Sequence, residues 1–448
     1  MTPGATVAAA IGLLAAIEAG QGPADALVAD YFRRHRFAGV KDRGAISEHV
    51  YAALRHRAAL DWWVTRQGLA VEARSRLLAA LTLVEGWSAA AIAKACDGDR
   101  FRPAPLDGAE ERMLAGLAGQ TLDHAEMPAA VRGNYPDWLE PALTAALGRN
   151  LAREMAAMQA SAPLDLRVNT LKSEREKARA ALARDGVEAM RTPLSPLGLR
   201  VFRRIPLATL ESFRSGQIEV QDEGSQLAAL LAEARPGMRV VDFCAGAGGK
   251  TLALAAAMGN RGHLVACDVS AVRLERATER LRRAGASIVQ RQPLASARDK
   301  WVKRHAQGFD RVFVDAPCTG TGTWRRNPDA KWRLTPRDLV ELPALQAEIL
   351  DSAARLVRPG GRLIYATCSL LREEDEEQIE RFLAAHEDFS LLPIGAVWRS
   401  AVGGDCPASE GGMLRLTPAR HGTDGFFVAV MARRALAPKA PAAEDEAP

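Results

Sequence analysis

Residues 240–251 have the sequence Val240-Val241-Asp242-Phe243-Cys244-Ala245-Gly246-Ala247-Gly248-Gly249-Lys250-Thr251. The mostly apolar start predicts a buried strand, the glycines predict a loop, and residues 252–258 have the composition of a helix. A strand, a glycine-rich loop and a helix form the unit that binds the ribose or phosphate part of a nucleotide at the edge of a parallel sheet. The glycines let the backbone approach the ligand, and the first turn of the helix presents free N–H groups. The stretch therefore predicts a nucleotide-type ligand at this loop.

The spacing of the glycines separates this loop from two common phosphate-binding motifs. A dinucleotide fingerprint, G-x-G-x-x-G, would need a third glycine at position 251, which is Thr251, and a Walker-type loop would need its first glycine at position 244, which is Cys244. A second apolar stretch, residues 263–267, predicts a strand that ends at Asp268. An acid at this place suits the paired hydroxyls of a ribose. NAD-dependent enzymes and S-adenosylmethionine (SAM) methyltransferases both have such an acid, so the two stretches predict an adenosine-containing cofactor without deciding between them.

Composition sets the broad class of the protein. The chain has 448 residues, of which 48% are hydrophobic, and this is enough for two or three domains with cores of their own. A net charge of +5 and a pI near 9.0 fit a polyanionic partner. The six cysteines form no C-x-x-C pair, so we expect neither a metal site nor a disulfide framework. Since no apolar run approaches the length of a membrane span, we expect a cytoplasmic protein.

The hydrophobic pattern divides the chain into four parts. Residues 1–135 are predicted to be all-helical, and residues 136–235 to form a small α+β subdomain with a strand over 164–171. Residues 236–433 alternate strands with helices and predict a doubly wound α/β domain. The helix predicted over 336–357 is expected to be split at Pro343. Residues 434–448, rich in Ala, Pro and Glu, predict a disordered tail.

Two cysteines follow predicted strands at the edge where such sheets bind ligands. Cys318 ends the stretch Asp315-Ala316-Pro317-Cys318, and Cys368 lies between a threonine and a serine. A single cysteine at the end of a strand is usually part of a core, but two above a nucleotide loop indicate a reaction that needs a nucleophilic thiol and a second thiol. Methylation of cytosine at C5 is such a reaction, because a thiolate added to C6 turns the ring into an enamine that can attack a methyl group. Asp315 is placed to stabilise the charge that develops at N3.

Further motifs surround these residues. They are 244–251, Asp268, 315–320, 326–332 (Arg-x-Pro-Asp-x-Lys-Trp), 365–369, 221–226 and 424–427. In these stretches the chain resembles the Sun/Nop (Fmu-type) family of SAM-dependent RNA 5-methylcytosine methyltransferases. Residues 41–43, 48–55 and 60–62 resemble the NusB-type RNA-binding helical bundle. Together the resemblances imply the bacterial branch that acts on 16S rRNA. They imply a doubly wound Rossmann-like class I methyltransferase domain with an all-helical NusB-like N-terminal domain and a small α+β linker subdomain.

The resemblance also implies roles for individual residues. Cys368 would be the nucleophile that attacks C6, Cys318 would help to remove the C5 proton and release the product, and Lys250 would support Asp315. The implied SAM site comprises Cys244, Ala245, Gly246, Ala247, Gly248, Gly249, Lys250, Asp268, Gln292 and Asp315. Because Cys244 and Cys267 lie within predicted strands, we also expect them to be structural. The family usually has an Asp after the third strand, where this chain has no acid in residues 289–294. Either the amide oxygen of Gln292 accepts a hydrogen bond from the adenine amino group, or SAM binds more weakly.

RNA contacts are predicted at residues 324–333, which interleave basic and aromatic residues. A second place is the stretch 33–43, in which basic residues are crowded together. Anchoring of a surface loop, or a solvated face, is the alternative for each. The predicted substrate is small-subunit rRNA with an unpaired or flipped cytidine, bound by a monomer that contacts neither DNA nor a membrane. The alternatives are the same chemistry on tRNA, an RNA-binding ribosome-assembly factor with weak or lost catalysis, and a NAD-linked oxidoreductase, which Thr251 and the two cysteines disfavour.

Overall fold

The computed structural model describes residues 1–203 and 205–435. The chain divides into two compact units. The first comprises Met1–Ala162, Gly320–Asp338 and Pro418–Arg420, and the second comprises Pro163–Thr319, Leu339–Thr417 and the chain from His421 onward. The tail predicted over 434–448 lies, from residue 436, outside the described residues.

The helices and strands follow one another in the order expected of a helical part, a small α+β part and an alternating part. The helices are α1 (Pro3–Glu18), α2 (Ala24–Arg34), α3 (Val40–Arg55), α4 (Arg57–Arg66), α5 (Ala73–Leu83), α6 (Ala89–Ala95), α7 (Gly108–Leu117), α8 (Ala129–Gly133), α9 (Glu140–Leu147), α10 (Leu151–Gln159), α11 (Arg175–Arg184), α12 (Glu211–Arg214), α13 (Glu223–Leu230), α14 (Gly249–Ala257), α15 (Ala271–Ala284), α16 (Lys300–Arg304), α17 (Ala330–Arg333), α18 (Asp338–Ala354), α19 (Glu376–Ala385), α20 (Ile394–Ala401) and α21 (Pro418–His421). The strands are β1 (Leu164–Val168), β2 (Met190–Arg191), β3 (Gly198–Val201), β4 (Ile218–Val220), β5 (Arg239–Asp242), β6 (His263–Asp268), β7 (Val289–Pro293), β8 (Phe309–Asp315), β9 (Val357–Thr367), β10 (Phe389–Leu391), β11 (Ser409–Glu410), β12 (Met413–Leu416) and β13 (Phe426–Arg433).

The first unit is a helical bundle, as predicted. In α3 the apolar residues Ile46, Val50, Ala53 and Leu54 recur at helical spacing, and all four are buried. They share one core with apolar residues of α1, α4, α5 and α7. The unit continues to Ala162 and includes α9 and α10, which bury Leu143, Met155 and Met158.

The second unit contains two sheets. The small one is antiparallel with the order β2-β3-β1-β4, and α11 covers it with the buried residues Ala178, Ala181 and Leu182. The large one has nine strands in the order β11-β12-β13-β9-β8-β5-β6-β7, with β10 paired to β13. Strands β7, β6, β5, β8 and β9 are parallel, and β13 joins the edge antiparallel to β9. This confirms the doubly wound α/β domain.

The order of the parallel strands determines where a ligand binds. The chain runs from β5 to β6 and β7 on one side, and then returns to β8 and β9 on the other side of β5. The crevice outside the carboxyl ends of β5 and β8 is the topological switch point at which such sheets bind ligands.

Helix α18 differs from the prediction because it runs through Pro343 without a break. A proline inside a helix removes one backbone hydrogen bond. Burial of Ile349, Leu350 and Ala353 in the core of the large sheet outweighs that cost.

Candidate active site

Acidic residues and cysteines meet at the carboxyl edge of the parallel strands. Asp242 ends β5, Asp268 ends β6, Asp315 ends β8, and Cys368 follows β9. A cavity of about 320 Å³ lies at this edge, a size typical of ligand pockets. Its lining consists of Phe243, Cys244, Asp268, Val269, Arg273, Leu294, Ala297, Asp315, Ala316, Pro317, Cys318, Leu345, Ile349 and Cys368. Five of the residues predicted from the sequence therefore line one cavity.

The two thiols predicted to act together are in contact. The sulfur atoms of Cys318 and Cys368 lie 3.5 Å apart, although 50 residues separate them in the chain. Strands β8 and β9 pair in parallel with Asp315 opposite Ala366, so the loops after the two strands start side by side. Both thiols line the cavity. The site can therefore present two thiols to one small substrate group.

A lysine and a carboxylate face each other at the same edge. The Nζ atom of Lys250, in the first turn of α14, donates a hydrogen bond of 2.7 Å to Asp315 at the end of β8. Burial acts to lower the pKa of Lys250, but the charge of Asp315 and the hydrogen bond to it outweigh burial and raise that pKa. Lys250 is therefore a fixed cation that is paired with Asp315.

The glycine-rich loop is held by the acid at the end of the second strand. Gly246 N–H donates to one oxygen of Asp268 and Ser270 N–H to the other, each at 2.8 Å. Gly246 has φ +54°, and a Cβ there would lie 2.5 Å from the guanidinium of Arg273. The carboxylate of Asp268 thus lines the cavity in a fixed orientation and keeps further lone pairs for two hydroxyl groups. The apolar side chains of Leu294 and Ala297 lie beside it in the cavity lining. A carboxylate acceptor next to an apolar surface fits the ribose and adenine of an adenosine cofactor.

Two further cysteines and one acid lie at or next to the ends of β5 and β6. Burial, together with the nearby acids, raises the pKa of the Cys244 thiol, and it raises that of Cys267 as well. Both are thus held as neutral thiols, which agrees with a structural role. Burial also raises the pKa of Asp242 to about 7, against the opposing hydrogen bond of 2.6 Å from Thr251.

Gln292 lies in β7 next to Cys267 of β6 and is partly exposed. Its amide nitrogen donates to the carbonyl of Pro293 at 2.8 Å, so the amide oxygen is the atom that could accept a hydrogen bond. The structure adds cavity residues that were not predicted as site residues, among them Arg273, Leu345 and Ile349. Arg273 could have been found from its place in the first turn after Asp268, and Leu345 and Ile349 from their four-residue spacing on α18.

The RNA-contact hypothesis for residues 324–333 is wrong for two of its members. Trp324 and Lys331 are 0% and 1% exposed, with the lysine Nζ 5.1 Å from the centre of the indole ring. The segment belongs to the first unit, where Arg55 donates to the carbonyl of Arg325 at 2.7 Å and Asp329 accepts from Ala24 N–H at 3.1 Å. The segment is therefore anchored within the helical unit, with Trp324 and Lys331 buried.

The basic stretch of the N-terminal part is different, because its side chains face solvent. Phe37 is 72% exposed, and the side chains of Arg33 and Arg34 are 76% and 67% exposed, both paired with Asp30. His35 stacks on Tyr31 with ring centres 4.0 Å apart. This loop is therefore an exposed combination of aromatic and cationic groups.

Comparison with known proteins identifies the family. Residues 229–432 match the family model described as 16S rRNA methyltransferase RsmB/F, and residues 135–208 match its ferredoxin-like domain. A ribosomal RNA small subunit methyltransferase B from Xanthomonas campestris is 32% identical over 87% of this chain and 89% of its own length. The chain belongs to the RsmB/F family of 16S rRNA methyltransferases. A probable methyltransferase B from Synechocystis is 34% identical over 69% of each chain.

Solved structures agree with this assignment. The crystal structure of PH0851 superposes with a TM-score of 0.79 and 29% identity over 96% of this chain and 99% of that one. A methyltransferase homologue from Pyrococcus horikoshii has a TM-score of 0.58 and 29% identity, over 68% and 97% of the two chains. Membership of the family makes the chain an rRNA methyltransferase and confirms S-adenosyl-L-methionine as its cofactor. Among the described residues, no helix has the length and apolarity that a membrane crossing requires.

Proposed function

We propose that the chain methylates C5 of a cytidine in 16S rRNA, with Cys368 as nucleophile and Cys318 as the second thiol. The observation that carries the proposal is the 3.5 Å contact between these two sulfur atoms in the wall of the cavity that Asp315 also lines. Methylation of a hydroxyl or of an exocyclic amine needs no pair of thiols, whereas C5 of cytosine is too weak a nucleophile to react unaided.

Each residue has one task in this reaction. Cys368 as thiolate adds to C6 of the base, and the electron pair of the C5–C6 bond moves towards N3. Asp315, as a carboxylic acid, donates a hydrogen bond to N3 and so stabilises the negative charge that develops there. Lys250 orients Asp315 through the 2.7 Å hydrogen bond. When bound, S-adenosyl-L-methionine supplies an electrophilic methyl group, which C5 of the activated base accepts. Cys318 then helps to remove the C5 proton, the C5–C6 double bond forms again, and the Cys368 thiolate leaves.

The cofactor would be held by the other half of the site. Asp268 would accept hydrogen bonds from the ribose hydroxyls, and the loop from Cys244 to Gly249 would line the amino-acid part. Gln292 would accept a hydrogen bond from the adenine amino group through its amide oxygen. The exposed loop at Phe37 would bind a single-stranded segment of the rRNA by base stacking and phosphate pairing.

Methyl transfer from labelled SAM to 16S rRNA tests the proposal, with nucleosides identified by mass spectrometry. We expect the wild type to form 5-methylcytidine, Cys368→Ala to form none, and Cys318→Ala to accumulate a covalent enzyme–RNA adduct that survives denaturation. Cys406→Ala is the matched control, because Cys406 lies outside the cavity lining, and it should behave as the wild type. A methyl group on any other base atom, or full activity of Cys368→Ala, would overturn the proposal. Parallel reactions with tRNA and with small-subunit particles identify the substrate.

A further inference from the structure

The loops that carry the two thiols are joined by one buried carboxylate, that of Glu374. Glu374 is 0% exposed and lies in the turn between β9 and α19. One of its oxygens accepts from Thr319 N–H at 2.8 Å and from the Gln346 amide at 3.0 Å. The other accepts from the hydroxyls of Thr319 and Ser369. Thr319 follows Cys318 and Ser369 follows Cys368, so one side chain binds the residue next to each thiol.

Glu374 is itself fixed in place. Its carbonyl oxygen accepts a hydrogen bond of 2.7 Å from the hydroxyl of Tyr365 in β9. The amide of Gln346, on α18, donates to the carboxylate and also to the carbonyl of Pro317 at 2.9 Å. The strand before one thiol, the loop before the other and the helix behind both are therefore tied to this residue.

Glu374 is fully buried although it has no cationic partner among the described residues, which is unusual for an acid. Burial raises the pKa of Glu374, while the hydrogen bonds from Ser369, Thr319 and Gln346 act to lower it. Four donors on one buried carboxylate satisfy its lone pairs. Glu374 is absent from the cavity lining, so it acts on the thiols only through the residues that it binds.

We infer that Glu374 is a positioning residue, whose carboxylate holds the Cys318 and Cys368 loops at the separation at which one thiol can attack the base while the other acts on the resulting adduct. This inference rests on the proposed two-thiol function. Reactions between positioned groups are sensitive to displacements of about 1 Å, which can cost about 100-fold in rate. Glu374 acts on the geometry of both thiols and on the chemistry of neither.

Thiol–disulfide exchange measures this geometry without RNA or cofactor. With oxidised glutathione, the thiols of Cys318 and Cys368 lose two protons and two electrons to form a disulfide, and the glutathione disulfide is reduced to two thiols. Mass spectrometry of the linked peptides gives the effective concentration of one thiol at the other. We expect this value to fall about tenfold or more in Glu374→Gln, because the amide nitrogen cannot accept the bonds of the carboxylate. Thr319→Val and Ser369→Ala, which each remove one hydroxyl donor, should lower it as well.

Two controls separate positioning from general stability. Glu377→Gln changes a partly buried acid in the first turn of α19. The side chain of Glu377 forms no ion pair among the described residues. Ile379→Val removes one methyl group from the core of the large sheet, where Ile379 is 1% exposed. Both should keep the wild-type effective concentration, even though the second lowers thermal stability.

The catalytic readout uses the lifetime of the covalent adduct. For Glu374→Gln we expect a KM for RNA near that of the wild type, a kcat about 10- to 100-fold lower, and a longer-lived adduct. Glu374→Ala should be worse than Glu374→Gln, which keeps the shape and part of the hydrogen bonding. Wild-type exchange and wild-type adduct lifetime in Glu374→Gln would overturn the inference, as would equal losses in Glu374→Gln and Ile379→Val. If the wild type forms no 5-methylcytidine, the proposed function fails, while the glutathione measurement still decides whether Glu374 sets the distance between the thiols.

Discussion

Replacement of the buried Lys331 by methionine is expected to stabilise the first unit, and to do so more at acid than at alkaline pH. Lys331 is 1% exposed, and among the described residues it forms no ion pair with a carboxylate. Its Nζ atom lies 5.1 Å from the ring centre of Trp324. Burial, and to a smaller extent the charge of Arg55, lowers its pKa from 10.5 to about 7. The folded protein therefore favours the neutral amine.

The size of the effect follows from the two pKa values. Between pH 7 and pH 10.5 the unfolded chain holds the Lys331 proton and the folded chain has released it, so stability rises with pH in this window. A difference of about 3.5 pKa units corresponds to a cost of about 5 kcal/mol at pH 6 and about 2 kcal/mol at pH 9. Methionine is similar in length and removes the cost. At pH 6, where the folded amine is charged, it also removes the cation–π contact with Trp324, which offsets about 1 kcal/mol.

Guanidinium unfolding at pH 6, 7.5 and 9, followed by tryptophan fluorescence, measures the gain. We expect Lys331→Met to be more stable than the wild type by about 4 kcal/mol at pH 6 and by about 2 kcal/mol at pH 9. Lys94→Met is the matched control, since Lys94 is an exposed lysine on α6 of the same unit, and it should change stability little at any pH. A less stable Lys331→Met at pH 6, or a gain that does not vary with pH, would show that Lys331 is favourably charged in the folded protein and would refute the reasoning.

Three further changes test the site and the RNA surface. Lys250→Met should lower kcat about 100-fold with SAM affinity retained, because Asp315 loses the cation that orients it. Single-turnover rates measure the loss of activity and calorimetry measures SAM affinity, and an unchanged kcat would contradict the role of Lys250. Asp268→Asn should weaken binding of S-adenosylhomocysteine about 10- to 100-fold, because the site loses a charged acceptor. Calorimetry measures the affinity, and unaltered binding would show that the ribose is bound elsewhere. Phe37→Ala should weaken binding of single-stranded rRNA about tenfold, while Phe101→Ala, which is as exposed at 73%, should not; equal effects of the two would argue against a stacking surface.

Much of the fold was predictable because local chemistry and global fold agree there. The glycine-rich loop after β5 and the acid at the end of β6 are set by short-range patterns, and the structure places both as expected. Pro343 was misjudged for the opposite reason. The local rule predicts a break, but the buried face of α18 is a property of the assembled sheet, which no local pattern contains.

The residues of the active site likewise divide into those that local patterns predict and those that only the assembled fold reveals. Cys318, Cys368 and Asp315 were predicted from their places after strands, since parallel strands bring their carboxyl ends to one edge. The role inferred for Glu374 was not predictable, because residues 373–377 look like an acidic first turn of a helix. Only the structure shows that Glu374 is fully buried and that its carboxylate binds the residues next to the two thiols.

The chain after Thr319 leaves the second unit and returns to it at Leu339, and the residues between belong to the helical unit. A chain that begins at residue 163 would therefore keep the entire cofactor site but lose Ala24 and Arg55, which bind Asp329 and Arg325. We expect this shorter chain to bind S-adenosylhomocysteine as the full chain does, and to be cut by trypsin within residues 325–333 much faster. Cleavage is followed by mass spectrometry, with cleavage at Arg276, an exposed arginine on α15 of the second unit, as the internal control. Equal protection of residues 325–333 in both chains would mean that the segment folds without the helical unit, and would contradict the burial of Trp324 and Lys331 as its anchor.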